Sequence, residues 1–348
     1  MFPAEMGFKM PPEWEKHSRT FMEWPVKEAI WPEPFEEILP VFADIVQKIS
    51  KFEPVTLIAR PELAGEAAEY CSAGIDILPL EHNDSWMRDN GPTFLTNSQG
   101  EIAGINWIFT GWGGKFEAGD DNQVAPRLLH HLGVPCFDIP IVMEGGSFHV
   151  DGEGTLLTTE ECLLNTNRNS NLSQTELENF LKKSLNVSHI IWLKKGWVGD
   201  DTDGHVDNAA CFARPGVIIT QVCNDPADPN YEISRENLNI LKNARDALGR
   251  RLEIIQIQQP PADYYEDNRL TLSYLNFYFV NGGIILPEFG GKALDTDRKA
   301  KEILERLFPE RRIATINGSV IARGGGNVHC LTQQMPVGNQ GGTPCPVR

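Results

Sequence analysis

The side chains able to do chemistry fall in a few short polar segments. Cys330 lies in Arg-Gly-Gly-Gly-Asn-Val-His-Cys-Leu-Thr-Gln-Gln, residues 323–334. The three consecutive glycines, Gly324 to Gly326, let the backbone approach a ligand closely or take a positive φ. A thiol just beyond such a turn has the setting of a nucleophile, although a structural cysteine buried beside a tight turn has the same local signature. His205 and Asp207 stand in Gly204-His205-Val206-Asp207-Asn208. If that stretch is a strand, its period of two puts both side chains on one face. The histidine can then work as acid and base near neutral pH, with the carboxylate orienting it or binding a cation. A metal-ligand pair or a satisfied core histidine reads the same way. Glu144 opens EGGSFHVD, a carboxylate beside a flexible backbone, and Asp84, Trp86, Arg88 and Asp89 fall in NDSWMRDNGPTF. The Asn90-Gly91-Pro92 run marks a turn, so loop decoration is the competing reading there.

Several chemistries lack their residues. No H-E-x-x-H is present and no third ligand has recognisable spacing, so no metal is expected. Ser147 and Ser319 lack the G-x-S-x-G context of a serine hydrolase. The glycine runs match neither G-x-x-x-x-G-K-[ST] nor a strand-linked G-x-G-x-x-G, which disfavours nucleotide binding.

The elements that must position these groups repeat along the chain. Apolar spacing and start signals predict helices beginning near Pro61, Asn122, Ser173, Ser234 and Lys292, the third with a Ser173/Glu176 capping box. A short apolar strand follows each: IDILPL, VPCFDIP, HIIWL, RLEIIQI and RRIATI. Then come the polar segments DSWMRDNGPTF, EGGSFHVD, GDDTDGHVDNAACF, LSYLNFYFVNGG and RGGGNVHCLTQQ. With Asp89, Glu144, His205, Asn276 and Cys330 as markers, the gaps are 55, 61, 71 and 54 residues. Units of that size, each mixing a helix with several strands, suggest a closed pseudo-symmetric ring with the polar segments near its axis. A doubly wound α/β domain with a second domain would show the same alternation. Residues 1–40, rich in proline, and the Gly/Pro tail after Gln334 read as irregular covering segments.

The chain has 348 residues, for which length alone suggests about two domains. No linker-like shift divides it, so a single domain over residues 1–348 is expected. Lys plus Arg number 31 and Asp plus Glu 48, a formal net charge of −17. That balance argues against nonspecific nucleic-acid or anionic-membrane binding, which needs cationic side chains. It is compatible with a small cationic ligand. No secretory signal or window of 18 apolar residues is visible. The seven cysteines show no C-x-x-C spacing. They fit a reducing cytoplasm, six of them structural and one reactive.

Taken together, the segments MPPEWEKHSRTFMEWP, NDSWMRDNGPTF, FTGWGG, EGGSFHVDGEGTLLTTEECLLNTNRN, GDDTDGHVDNAACF and GGGNVHCLTQQMP resemble the agmatine deiminase family of guanidine-modifying penteins, over nearly the whole chain. The resemblance implies a five-bladed α/β propeller. It implies Cys330 as nucleophile, His205 as general acid and base, and Glu144, Asp89 and Asp207 as carboxylates around a guanidinium. It implies no metal or organic cofactor, and agmatine hydrolysis to N-carbamoylputrescine and ammonia. By position in the family pattern, Asp201 and Trp86 would meet the far end of the substrate, with Thr202 and Trp112 nearby. Arg88 and Arg323 could pair with catalytic carboxylates, so their presence does not establish a site for a substrate α-carboxylate. The expected partner is a small guanidine cation, with no nucleic acid or membrane; homo-oligomerisation stays open. The alternatives are a deiminase of free or peptidyl arginine, or a noncatalytic pentein that binds or assembles. Three carboxylates near a thiol should raise its pKa, so the substrate's own charge is expected to help form the thiolate.

Overall fold

A computed structural model describes residues 1–27, 29–71 and 74–339, so Cys345 lies outside the described residues. The fold is mixed α/β, with five small sheets and a two-stranded ribbon among the described residues. Four sheets share one plan: two strands joined as an antiparallel hairpin, then a third strand parallel to the second. They are Thr93–Thr96, Ile102–Ile108 and Cys136–Val142; Phe148–Val150, Thr155–Thr159 and His189–Leu193; Ala210–Arg214, Val217–Val222 and Glu253–Gln258; and Tyr278–Val280, Gly283–Glu288 and Arg312–Asn317. Parallel neighbours need a long crossover, and each of these crossovers carries a helix: Val124–Leu132, Gln174–Leu185, Asn230–Asn243 and Leu294–Leu307. The middle strands Thr155–Thr159 and Val217–Val222 are buried along their whole length, as strands covered on both faces must be.

The remaining sheet is built from both ends of the chain. Gln333–Pro336 pairs antiparallel with His17–Glu23, which runs parallel to Val55–Ala59, itself parallel to Asp76–Pro79. Residues 1–40 and the segment after Gln334 are therefore not mere covering, as their prolines suggested. They supply two strands and the start of the helix Ile38–Ser50. That helix tolerates Pro40 because the proline falls in its first turn, where the amide has no intrahelical acceptor. Its buried face, Ile38, Phe42, Ile45, Val46 and Ile49, has helical spacing.

The predicted helices and strands otherwise stand close to their expected places. Ser173 and Glu176 form the capping box. The helix expected from Ser234 begins one turn earlier, at Asn230, and buries Ser234 on its inner face. The helix expected from Pro61 is reduced to Ala64–Tyr70. One expectation fails outright. His205 and Asp207 do not lie on a strand; Val206–Asn208 is a turn of 3-10 helix with His205 at its start.

The polar segments recur at one place in the plan. Each forms a short turn just ahead of the first strand of a sheet: Met87–Asn90 before Thr93, Gly145–Ser147 before Phe148, Val206–Asn208 before Ala210, residues 274–276 before Tyr278, and residues 328–331 before Gln333. Contacts link these turns in a cycle. Gly146 N donates to Asp89 Oδ1 at 2.8 Å. His205 Nε2 lies 3.7 Å from Glu144 Oε2. Asn276 Nδ2 reaches Asn208 Oδ1 and Cys330 Sγ, each at 3.1 Å. Arg88 N donates to the Cys330 carbonyl at 3.0 Å.

Candidate active site

The cycle brings Cys330, His205, Glu144, Asp89 and Asp207 together, none more than 5% exposed. The Cys330 thiol donates to Asp207 Oδ2 at 3.4 Å and accepts from Asn276 Nδ2. The His205 ring stands between two carboxylates, Nδ1 at 3.8 Å from Asp89 and Nε2 at 3.7 Å from Glu144. Both ring nitrogens and Asp207 Oδ1 are buried without a hydrogen-bond partner among the described residues. Unsatisfied buried polar atoms are costly, so such a cluster marks a place prepared for something else to bind. Gly146 keeps that place open: a Cβ there would sit 2.6 Å from His205 Nδ1, 2.8 Å from Asp207 Oδ2 and 3.1 Å from Asp89 Oδ1. Gly326 does the same between the Trp86 ring and the thiol, at 2.6 Å and 2.9 Å. This is the use of the glycine run ahead of Cys330.

Burial pushes the Cys330 thiol well above its ordinary pKa, and the charges of Asp207 and Asp89 add to it. Burial alone would lower the His205 pKa, but Asp89, Cys162 and Glu144 outweigh it and hold the ring well above its ordinary value. Burial likewise opposes ionisation of Glu144 and Asp207. His205 and Arg168 overcome it at Glu144, and His329 and His205 at Asp207, so both carboxyls stay below the usual range. Asp89 is raised, first by burial and then by Asp207, against the pull of His205. These shifts favour a protonated thiol and a protonated imidazole, with Glu144 and Asp207 ionised.

Trp112 donates from Nε1 to Asp89 Oδ2 at 2.9 Å and takes a left-handed backbone, φ 55°. Trp86 Nε1 donates to Asp84 Oδ2 at 2.9 Å, and its ring stacks on Trp31. A cavity of about 650 Å³ opens beside Trp112, with Asp84, Glu117, Asp201 and Glu266 on its wall. Asp201 is exposed on that wall. Thr202 is not on it: its hydroxyl donates to Asp200 Oδ1 at 2.5 Å and its carbonyl accepts from Arg168. The expected arginine pairs also differ. Arg88 meets Glu13 and Gln334, and Arg323 meets Glu37, so neither holds a site carboxylate.

Arg168 does so instead. Its Nε donates to Glu144 Oε1 at 3.0 Å, and its Nη1 is paired with Asp203. Nothing in the local sequence singles out this arginine, because its partners come from other segments. Asn276 carried a signal, since it occupies the repeat position of the other site residues. His329, beside the nucleophile, contacts Asp207 at 3.0 Å. Cys162 Sγ reaches Glu144 Oε2 at 4.0 Å. Glu144, Cys162 and His205 have ligand atoms within 4.8 Å of one another, a grouping with metal-ligand chemistry whose carboxylate already carries the Arg168 guanidinium.

The architecture and this buried cysteine–histidine–carboxylate cluster are those of a mixed α/β protein with pentein-type neighbours. The chain belongs to the Porphyromonas-type peptidyl-arginine deiminase family, whose profile matches residues 9–336. It is 41% identical over 360 residues to the agmatine deiminase of Pseudomonas aeruginosa (strain LESB58), covering 96% of this chain and 97% of that one. The structure of the agmatine deiminase of Enterococcus faecalis superposes with a TM-score of 0.92 at 33% identity, over 97% of this chain and 98% of that one. That of a cysteine-to-serine variant of the C. jejuni agmatine deiminase with substrate bound does so at 0.88 and 30% identity, over 95% and 97%.

Proposed function

We propose that the chain is an agmatine deiminase, a hydrolase that converts agmatine and water to N-carbamoylputrescine and ammonia. The observation carrying this reading is the thiol of Cys330 set among Asp207, Asp89, His205 and Glu144 in a buried site with free polar atoms. It is supported by agmatine deiminases related over nearly their full lengths. A guanidinium is planar and permanently charged, and two carboxylates take it edge-on through charge-assisted bonds. Asp89 and Asp207 have this role, with Glu144 and its Arg168 partner fixing the third side.

When the guanidinium binds, the Cys330 thiol loses its proton to solvent and the thiolate adds to the guanidinium carbon. The tetrahedral adduct breaks its bond to a terminal nitrogen, which takes a proton from His205 and leaves as ammonia. An amidino-thioether remains on Cys330. Neutral His205 then takes a proton from water, the hydroxide adds to the same carbon, and the carbon–sulfur bond breaks as the adduct's hydroxyl proton passes to sulfur, releasing the ureido product and the thiol. Asn276 Nδ2, at 3.1 Å from Sγ, stabilises the anionic sulfur.

The far end of the substrate lies in the cavity, with Trp112 along its chain and Asp201 toward its ammonium. Trp86, expected at the far end, is not on the cavity wall and flanks Gly326 opposite the Cys330 thiol, so it is assigned to the reacting end. The three arginines on the cavity wall are engaged elsewhere: Arg269 with Asp228, Arg323 with Glu37, and Arg60 with the His82 carbonyl. This favours an amine over the α-carboxylate of arginine. The five sheets make a five-bladed ring in one domain, the cycle of turns being its axis and the pairing of the chain ends its closure.

A comparative assay of ammonia release from agmatine, arginine and a blocked arginyl peptide tests the reading. Agmatine is expected to be preferred, with release abolished in Cys330→Ala. Preference for either arginine substrate would replace the assignment by the rival deiminase, and no release from any guanidine would favour a binding protein.

A further inference from the structure

Behind the nucleophile lies a second buried network that the proposed reaction does not use. His329 Nδ1 is 3.0 Å from Asp207 Oδ2, the same oxygen that accepts from the Cys330 thiol. Its Nε2 is 3.0 and 3.1 Å from the two carboxylate oxygens of Glu13. Glu13 also meets Arg88 Nη1 at 3.4 Å and His149 Nε2 at 3.5 Å. Glu13, His329 and Asp207 are each no more than 4% exposed. An imidazole with a carboxylate at each nitrogen can satisfy both only by carrying two protons.

We propose that His329 is a positioning residue: an imidazolium locked between Glu13 and Asp207 that holds Asp207 ionised and aimed at the guanidinium. Glu13 is its anchor. The consequence reaches the thiol, because a fixed positive charge beside Asp207 offsets part of the negative potential that otherwise keeps Cys330 protonated. The groups facing Asp207 are His329, His205, Cys330, Asp89, Asp200 and Cys211. Those facing His329 are Glu13, Asp207 and Arg88. Burial disfavours the His329 cation, as does Arg88, yet its pKa stands above the ordinary value because two carboxylates act on it. The N-terminal segment that carries Glu13 thereby becomes part of the charge balance of the site.

His329→Gln keeps a donor toward Asp207 but removes the charge; Glu13→Gln keeps the shape but removes the anion that sustains it. Losing a fixed cation raises the pKa of every acid in the site. The acid limb of kcat/KM is therefore expected to move up by about one pH unit in His329→Gln, whichever group limits it, and by less in Glu13→Gln, where an anion leaves together with the cation. KM for agmatine at pH 7 should rise roughly tenfold, with a smaller fall in kcat. A merely structural role predicts a lower melting temperature and reduced kcat with the acid limb unmoved, and that result overturns the proposal.

The kinetic arm rests on the agmatine deiminase reading, so a second measurement avoids it. In the unliganded full chain with 15N-labelled histidine, assigned by triple-resonance NMR, His329 should show both ring nitrogens protonated at pH 7.5. A neutral His329 there overturns the proposal, whatever the substrate is and whether or not the variants fold.

Discussion

At the scale of single residues, Cys330 poses the main energetic problem. Its thiol is buried beside Asp207 and Asp89, which favours the neutral form, while the proposed chemistry needs the anion. A guanidinium bound between those carboxylates, as proposed, would offset their negative potential at the sulfur. The expected result is that an unreactive guanidinium ligand lowers the apparent pKa for iodoacetamide alkylation of Cys330. The thiol is protonated at pH 7 without ligand, since its pKa lies above the ordinary value, so alkylation at pH 7 should speed up when ligand binds. An unchanged alkylation profile under a ligand that leaves the thiol accessible would count against substrate-assisted activation. Cys330, His205, Glu144, Asp89 and Asp207 were all legible as residue types beside turn signals. Arg168 and His329 were not, since their roles depend on Glu144 and on Asp207 with Glu13, partners far away in the chain.

At the scale of elements, the junction between His17–Glu23, the turn Met87–Asn90 and the loop near Asp121 gathers three buried acids, and their titration should be visible in stability. Burial pushes Asp84 up to about 7 and Asp121 up to about 6, and holds Glu23 well above its ordinary value. At these three groups the folded form therefore binds more protons than the unfolded chain between about pH 4 and pH 7, and their contribution to stability falls as pH rises through that window. Asp84→Asn removes one of these groups. The variant's thermal melts should show a shallower decline between pH 5 and pH 8 than those of the parent. An equal slope in the two proteins would place the titration elsewhere. The same elements show where local sequence signals succeed: the Ser173–Glu176 box is local and forms as written. Residues 333–336 form a strand by pairing with residues 17–23, 317 residues apart in the Ser18–Met335 hydrogen bond.

For the whole molecule, the formal charge of −17 has a kinetic consequence. An acidic surface draws a dicationic substrate toward a cavity mouth that carries Glu117, Asp201 and Glu266. Raising ionic strength from about 10 mM to about 0.5 M shortens the screening length severalfold, so kcat/KM for agmatine should fall while kcat stays nearly constant. A salt-independent kcat/KM would remove electrostatic steering from the account. No helix among the described residues is long and apolar enough to cross a membrane. The length of 348 residues suggested two domains, and the strand orders show four three-stranded sheets of one plan among the described residues.

What the sequence determined by itself was local and periodic: helix starts, apolar strands, glycine-rich turns, and reactive residue types recurring at similar intervals. Those features depend on neighbours within a few positions, where backbone preference and side-chain spacing act. Tertiary structure decided what depends on distant partners. It set His205 on a turn rather than a strand, gave Arg168 to Glu144, turned Thr202 away from the cavity, and tied Glu13 through His329 to Asp207. Charge and burial at the site arise from segments more than a hundred residues apart. No local spacing carries that information, because electrostatic energy follows distance in space rather than along the chain.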